Sequence, residues 1–221
     1  MSAPAPSFDA PLLLGAQIEA RATHPDVADR VFLRQHDRAW TFRRYRDECV
    51  RVAHFLRRRL GPIDDGRPGH VAMLLENHLE LLALYGGCGY AGLTLFGVNT
   101  GLRGETLAGV IDQSRARLLV VDQRLWPEVE RVRARLQHVA PENVLVVLTE
   151  GAAYDATDLE AALSDEVGPV DRSLDAPGID ANPMAPLIVI YTSGTTGLPK
   201  GINNNHFKLL AIGMVVSGNL G

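Results

Sequence analysis

The chain has 221 residues, and its 46% hydrophobic content is typical of a folded protein with a core. Its formal net charge of −4 excludes the strongly basic surface of a nucleic-acid-binding protein. The first residues contain neither a basic segment nor a long apolar segment, so we expect no signal peptide. Cys49 and Cys88 have no metal-binding spacing, and we expect both to be buried free thiols in a reducing, cytoplasmic location.

The N-terminal region predicts a short helix and a hairpin. Residues 1–10 are rich in proline and alanine, and we expect them to be disordered. Pro11 is suited to a helix start, and the region around Pro25 ends that helix. Residues 31–34 and 39–41 predict two short strands joined by a turn.

A longer amphipathic helix follows. Thr41 is its predicted N-cap, and Gly61 is its predicted C-terminal stop. Between them, apolar residues recur at spacings of three and four and predict one buried stripe: Tyr45, Cys49, Val52, Ala53, Leu56 and Leu60.

From residue 70 onward, short apolar runs alternate with amphipathic segments. The runs predict strands at residues 70–75, 93–98, 118–121 and 144–148. The segments between them predict helices at residues 78–91 (with Asn77 as N-cap), 104–114 and 126–139, and a shorter one at 158–163. This alternation predicts an α/β fold with a parallel sheet covered by helices on both faces. Residues 150–185 otherwise show little pattern and predict an irregular surface connection.

Residues 81–98 form an uncharged segment of eighteen residues, which is long enough for a membrane span. Five glycines interrupt it. We therefore interpret it as a helix that ends at Gly92, followed by a strand.

The most informative segment lies at residues 187–201, LIVIYTSGTTGLPKG. Its apolar start predicts a buried strand, and the glycines and hydroxyls that follow predict a turn whose N–H and O–H groups could bind phosphate. Serine, threonine and glycine are also ordinary loop residues, so composition alone leaves a surface loop open. Lysine use favours the phosphate site, because the chain has only two lysines, Lys200 and Lys208, against twenty arginines.

The motif is not a Walker A sequence, because no Gly-Lys-Ser/Thr closes it. Its eleven residues YTSGTTGLPKG resemble the phosphate-binding signature of the adenylate-forming superfamily, which includes acyl-CoA synthetases, luciferases and peptide-synthetase adenylation domains. Residues 70–87 and 93–122 also resemble the first β-α units of that superfamily, and residues 98–104 are similar to its fatty-acid transport protein and very-long-chain acyl-CoA synthetase branch. The run Asn203, Asn204, Asn205 and His206 departs from the family pattern.

The resemblance implies a two-step reaction. A carboxylate attacks the α-phosphorus of ATP to give an acyl-adenylate and pyrophosphate, and the thiol of coenzyme A then displaces AMP. It also implies that the loop holds the β- and γ-phosphates while Mg²⁺ shares their charge. The residues implied are Thr192, Ser193, Gly194, Thr195, Thr196, Gly197 and Lys200. No catalytic residue and no metal ligand of this chain is implied.

Family members are more than twice as long as this chain, so we expect residues 1–221 to be a partial N-terminal AMP-binding domain without the C-terminal domain. The adenine, acyl and coenzyme A pockets would then lie beyond Gly221, and the chain alone would be inactive. The resemblance implies a fatty or related hydrophobic acid as substrate, with a cytoplasmic or membrane-peripheral location, and leaves a homodimer open.

Two other functions remain open at this point. An acyl-AMP ligase or an amino-acid-adenylating domain would transfer its acyl group to a carrier protein. A catalytically silent fragment would at most bind polyphosphate or a partner. The seven histidines show no metal-ligand spacing, and His206 either orients the loop or only begins a helix. Ser193 lacks the G-x-S-x-G context of a hydrolase nucleophile.

Overall fold

The structure, a computed structural model, describes residues 11–64, 66–148, 156–166, 182–192 and 199–218. The predictions for residues 1–10 and for most of residues 150–185 therefore lie outside the described residues.

The N-terminal elements follow the sequence prediction. They are α1 (Leu14–Thr23), the antiparallel pair β1 (Val31–Gln35) and β2 (Arg38–Thr41), and α2 (Phe42–Leu60). The hydroxyl of Thr41 accepts a hydrogen bond from the N–H of Arg44 at 3.1 Å, which confirms the predicted N-cap. Helix α2 ends where Gly61 adopts a φ of +62°, a conformation that favours glycine.

A seven-stranded sheet forms the centre of the described structure. Its strands lie in the order β7-β6-β5-β3-β4-β8-β9. All neighbours are parallel except β8 and β9, which are antiparallel. The strands are β3 (His70–Leu74), β4 (Thr94–Gly97), β5 (Leu118–Asp122), β6 (Val144–Val147), β7 (Thr157–Asp158), β8 (Pro186–Thr192) and β9 (Lys200–Asn205).

Helices cover both faces of this sheet. One face carries α2, α3 (Leu79–Ala91) and α6 (Leu159–Glu166), and the other carries α4 (Gly104–Gln113) and α5 (Trp126–Glu130), while α7 (His206–Gly218) follows β9. Alternate residues of β3 enter two separate cores: Val71 and Met73 pack with α2, α3 and α6, whereas Ala72 and Leu74 pack with α4 and α5. The predicted α/β class, with a largely parallel sheet covered on both faces, is confirmed.

Helices α2 and α3 pack closely because glycine lies between them. A Cβ atom added to Gly87 would lie 2.5 Å from Cγ1 of Val52, so no larger residue fits without a shift. Cys49 and Cys88 lie in this same layer as buried free thiols, as predicted, and burial raises the pKa of each thiol.

The predicted N-cap of α3 is wrong. The N-cap position is occupied by His78, not Asn77, and its side chain makes no capping hydrogen bond. The first N–H of the helix, that of Leu79, instead donates to Oε1 of Gln35 at 3.2 Å. A side chain from β1 thus replaces a local cap, which a linear pattern does not reveal.

The predicted helix at residues 126–139 is shorter in the structure. Helix α5 ends at Glu130, and a 3-10 turn follows at Arg133–Arg135. The N–H of Gln137 donates to Oδ1 of Asp112 at 2.8 Å, so a tertiary hydrogen bond takes the place of a helical one. The apolar residues of the predicted helix nevertheless pack into the core: Trp126, Val129, Val132 and Val139.

No helix among the described residues is long and apolar enough to cross a membrane. Helix α3 has only thirteen residues and ends at Gly92, whose φ is +68°. The prediction of a helix that stops at Gly92 is confirmed.

Elements β8, β9 and α7 carry an exposed apolar surface. Leu187 is buried as predicted, but Ile190 at the other end of the same run is 47% exposed, so the expectation of a fully buried strand is only partly right. Other exposed residues of this surface lie on β9 and α7: Ile202, Phe207, Ile212, Val215 and Val216. The sequence has no acidic residue from 182 to 221, so no carboxylate interrupts the apolar character here.

We expect the 221-residue chain to self-associate through these elements, because exposed apolar side chains favour association in water. Val215 is 64% exposed, so Val215→Lys should shift the chain toward the monomer with little loss of stability. Sedimentation velocity at several concentrations measures this. A concentration-independent monomer before any substitution contradicts the expectation.

Candidate functional site

The predicted phosphate loop begins and ends at adjacent positions of the sheet. The last residue of β8, Thr192, pairs with the first residue of β9, Lys200. Paired residues of antiparallel strands lie roughly 4.5–5.5 Å apart between Cα atoms, so both ends of the segment are held by backbone pairing. Residues 193–198 lie outside the described residues. The assignments of Ser193, Gly194, Thr195, Thr196 and Gly197 therefore stay predictions.

The segment leaves the sheet at its carboxyl edge. Ile190 of β8 pairs with Gly97 at the end of β4, and Gly97 pairs with Met73 near the end of β3. In parallel α/β sheets, ligands bind beyond the carboxyl ends of the strands. The backbone therefore places Thr192 and Lys200 at the edge where such a site is expected.

Tyr191 anchors the base of this segment. It is buried, and the centroid of its ring lies 6.2 Å from that of Phe96 on β4. Burial raises the pKa of the Tyr191 phenol, so its hydroxyl is neutral at physiological pH. The side chain is thus a packing anchor immediately before the predicted loop.

Gly201 lies in the strand that follows the loop and has no room for a side chain. An added Cβ atom would lie 2.7 Å from Cγ1 of Val189 and 3.5 Å from the ring of Tyr191. A larger residue at this position would therefore force Val189 to shift.

Replacing Gly201 with alanine is expected to destabilise the β8–β9 pair by about 1–3 kcal/mol through overpacking. Gly97→Ala is the matched control, because a Cβ atom there would meet Met73 and Val189 only at 3.5 and 3.8 Å, ordinary contact distances. Urea denaturation of the two variants measures the difference. Equal stability of both would contradict the packing argument.

His206 does not face the solvent at the loop. It is 2% exposed, and its Nδ1 accepts a hydrogen bond from the N–H of Leu14 at 3.1 Å. Burial lowers the pKa of His206, which keeps the lone pair of Nδ1 available for this bond. The residue therefore joins the start of α7 to the start of α1, a role that neither sequence interpretation included.

A second polar group at the same sheet edge was missed by the sequence analysis. Oδ2 of Asp122, at the end of β5, lies 2.6 Å from Nε2 of His78, and Asp122 is fully buried. The other carboxylate oxygen of Asp122 accepts the N–H of Arg124 at 2.8 Å. The sequence does contain a sign of this group, because Asp122 directly follows the apolar run of β5. The pair fixes the start of α3 against β5.

Comparisons with known proteins identify the family. The family model for AMP-binding enzymes matches residues 18–218. This chain belongs to the AMP-binding enzyme family. The superfamily resemblance carried by YTSGTTGLPKG is therefore confirmed.

Two curated relatives of this AMP-binding chain show its degree of similarity. It is 32% identical over 177 residues to the fatty acid–[acyl-carrier-protein] ligase ScoC of Streptomyces coeruleorubidus, covering 79% of this chain and 30% of the relative. It is 33% identical over 188 residues to the steroid-22-oyl-CoA synthetase of Rhodococcus jostii, covering 82% of this chain and 29% of the relative. The chain thus spans about a third of the length of these relatives.

Solved structures agree with the fold. The anthranilate CoA ligase AuaEII, in complex with anthranoyl-AMP, superposes with a TM-score of 0.72 at 26% identity, covering 90% of this chain and 36% of that one. A long-chain-fatty-acid–CoA ligase of Archaeoglobus fulgidus superposes with a TM-score of 0.72 at 22% identity, covering 98% of this chain and 41% of that one. The second similarity shows the fold alone.

Proposed function

We propose that this chain supplies the phosphate-binding loop of an ATP-dependent acid–thiol ligase. The observation that carries the proposal is the pairing of Thr192 with Lys200 at the carboxyl edge of the sheet, within a chain matched by the AMP-binding family model. That pairing brings the two ends of the YTSGTTGLPKG motif together where a ligand loop is expected.

In the proposed reaction, the carboxylate of the substrate attacks the α-phosphorus of ATP and forms a bond to it. Pyrophosphate leaves, and the product is an acyl-adenylate. The thiol of coenzyme A then attacks the acyl carbon, and AMP leaves. Catalysis of this kind depends on positioning and on electrostatic stabilisation of the phosphates.

The proposed roles of the loop residues follow from their chemistry. The hydroxyls of Thr192, Ser193, Thr195 and Thr196 donate hydrogen bonds to the β- and γ-phosphates, and the ammonium of Lys200 supplies positive charge. Gly194 and Gly197 let the phosphates approach the main chain.

Mg²⁺ would neutralise phosphate charge in such a reaction. The described part of the chain contains no group of three or more histidine, cysteine, aspartate or glutamate side chains that could hold a metal ion. No step proposed here is therefore assigned to metal ligands of this chain.

The proposed substrate is a fatty or related hydrophobic acid, and the proposed acceptor is coenzyme A. Relatives named as a steroid-22-oyl-CoA synthetase and as a long-chain-fatty-acid–CoA ligase of Thermus thermophilus support both. A second candidate acceptor is a carrier protein, because another relative is named as a fatty acid–[acyl-carrier-protein] ligase. A cytoplasmic location, with or without peripheral membrane association, is part of the same proposal.

Acid-dependent exchange of pyrophosphate into ATP tests the proposal. The complete product of the gene, given a panel of hydrophobic acids, should exchange pyrophosphate only when an acid is present. Adding coenzyme A or a phosphopantetheinylated carrier protein then identifies the acceptor from the thioester formed. The 221-residue chain alone should stay at background. Background exchange by the complete product with every acid would contradict the proposal and favour a non-catalytic polyphosphate-binding protein.

A further inference from the structure

Helix α1 begins without a local cap. Its N-cap residue, Leu13, makes no side-chain hydrogen bond to the helix, and the first turn contains no acidic residue. The first N–H groups of a helix have no partner within the helix, so their partners must come from elsewhere. The N–H of Leu14, the first residue of α1, donates to Nδ1 of His206 at 3.1 Å. A side chain 192 positions away thus caps α1.

His206 can cap α1 only while its Nδ1 carries no proton. A backbone N–H is always a donor, so Nδ1 must accept, and the proton of the neutral ring then lies on Nε2. Protonation of Nδ1 would bring two N–H groups into opposition. His70 is different, because its Nδ1 lies 2.7 Å from the carbonyl oxygen of Ser114 and must donate to it. The bond of His70 survives protonation, whereas the bond of His206 does not.

Two features of its position oppose a positive charge on His206. The side chain is 2% exposed, and this burial lowers its pKa. It also lies at the N-terminus of α1, where the helix dipole places partial positive charge and disfavours a second cation. The neutral form is therefore the one that fits the folded chain.

The charges around His206 do not provide a counter-ion for a protonated ring. The elements that meet at this contact are α1, β8, β9 and α7, with the end of α3 packed on Gly15. Their titratable groups are Glu19, Arg21, Tyr90, Tyr191, Lys200 and Lys208. Glu19 is the carboxylate among these groups, and it already accepts from Arg46 at 2.7 Å and from Tyr90 at 3.1 Å.

The contact lies at a junction of the fold. His206 is the first residue of α7 and directly follows β9, the strand that comes after the predicted phosphate loop. The next N–H along the chain, that of Phe207, donates to the carbonyl oxygen of Pro183 at 3.0 Å, and neither of these two groups titrates. Acid would therefore break the bond to α1 and leave the bond to Pro183 in place.

We propose that His206 is an acid-sensitive clasp that holds α1 against the junction of β9 and α7. When Nδ1 is free of a proton, it caps α1; when Nδ1 takes up a proton, the cap is lost and α1 separates from the junction. The folded chain keeps His206 neutral, whereas the unfolded chain binds a proton below about pH 6.5. Stability from this contact is therefore lost as the pH falls below 6.5, and the loss is complete below the lowered pKa of the folded chain.

Nuclear magnetic resonance of the unmodified 221-residue chain tests the clasp directly. At about pH 7.5, the ring of His206 should carry its proton on Nε2 and none on Nδ1. As the pH falls, the amide signal of Leu14 should shift together with the ring signals of His206. Hydrogen-exchange protection of the Leu14 amide should fall by about fivefold or more, the usual effect of losing an N-cap.

The variant His206→Asn tests the same clasp by equilibrium unfolding in urea. Asparagine places its Oδ1 about where Nδ1 lies, since both atoms are bonded to Cγ, and this acceptor does not titrate. Below pH 6.5, the unfolding constant of the unmodified chain should rise by up to about tenfold per pH unit relative to that of His206→Asn. His24→Asn is the matched control, because Nδ1 of His24 also accepts a backbone N–H, that of Asp26 at 3.2 Å, but at an exposed site. Its pH profile should follow that of the unmodified chain.

Three results would overturn the proposal. The first is a proton on Nδ1 of His206 at about pH 7.5. The second is a Leu14 amide that does not respond when His206 is protonated, which the unmodified chain reveals even if His206→Asn fails to fold. The third is a pH profile of His206→Asn parallel to that of the unmodified chain.

Discussion

Replacing Lys200 with alanine is expected to lower kcat/KM for ATP by about 10- to 100-fold in the complete product of the gene. One charge-assisted contact to phosphate is worth roughly 1.5–3 kcal/mol, which corresponds to that range. Lys200 is the first residue of β9 and comes directly after the predicted loop, where we propose that its ammonium contacts the phosphates. The KM for the carboxylic acid should change little, because the proposed contact of the lysine is with the phosphates. Steady-state kinetics with ATP and acid varied separately measures both.

Lys208→Ala is the matched control for this experiment. Lys208 is the other lysine of the chain and lies exposed on α7, eight positions farther along the sequence. Its removal subtracts the same charge and should leave the ATP dependence intact. Lys200→Arg should restore the rate only in part, because a wide planar guanidinium does not replace a compact ammonium in a tight loop. Equal effects of Lys200→Ala and Lys208→Ala would show that the effect is one of net charge.

Replacing Gly87 with alanine is expected to destabilise the chain by about 1–3 kcal/mol. The new methyl group would lie 2.5 and 2.8 Å from two atoms of Val52 and 3.2 Å from the backbone oxygen of Cys49. Helices α2 and α3 must therefore separate, although alanine by itself favours a helix by about 1 kcal/mol. The free energy of unfolding from urea titration measures the net loss.

Gly213→Ala measures the contribution of helix propensity to stability without a packing clash. Gly213 lies in α7, and an added Cβ atom would meet nothing within 4 Å. This variant should be as stable as the unmodified chain, or more stable by up to about 1 kcal/mol. The double variant Gly87→Ala, Val52→Ala should lose less stability than the sum of the two single losses, because the closest contact atom, Cγ1 of Val52, is removed. A Gly87→Ala variant as stable as Gly213→Ala would contradict the close packing of α2 and α3.

The sequence predicted the parallel part of the fold because each element carries its own periodic signal. Strand β5 is apolar from Leu118 to Val121, and α2 has a cap, a stripe and a terminal glycine at the expected positions. The YTSGTTGLPKG motif likewise identified the family without any tertiary information. Local patterns of this kind are sufficient when neighbouring residues determine the structure.

Features that depend on distant residues were not predictable. Strand β9 contains three consecutive asparagines, which are poor strand formers, and it forms because β8 provides a partner. Gln35 caps α3 from 44 positions away, and the pairing of Asp122 with His78 also spans 44 positions. The buried contact between His206 and Leu14 spans 192 positions. In each case tertiary geometry, not periodicity, selects the partner.

Calorimetric titration of the 221-residue chain with ATP, inorganic tripolyphosphate and adenosine determines whether the segment between Thr192 and Lys200 binds phosphate. We expect ATP and tripolyphosphate to bind with similar Kd and adenosine not to bind detectably. Lys200→Ala should weaken binding of both phosphate ligands about tenfold or more, and Lys208→Ala should weaken neither. Adenosine binding as tight as that of ATP, or unchanged binding of tripolyphosphate to Lys200→Ala, would contradict phosphate binding by this segment.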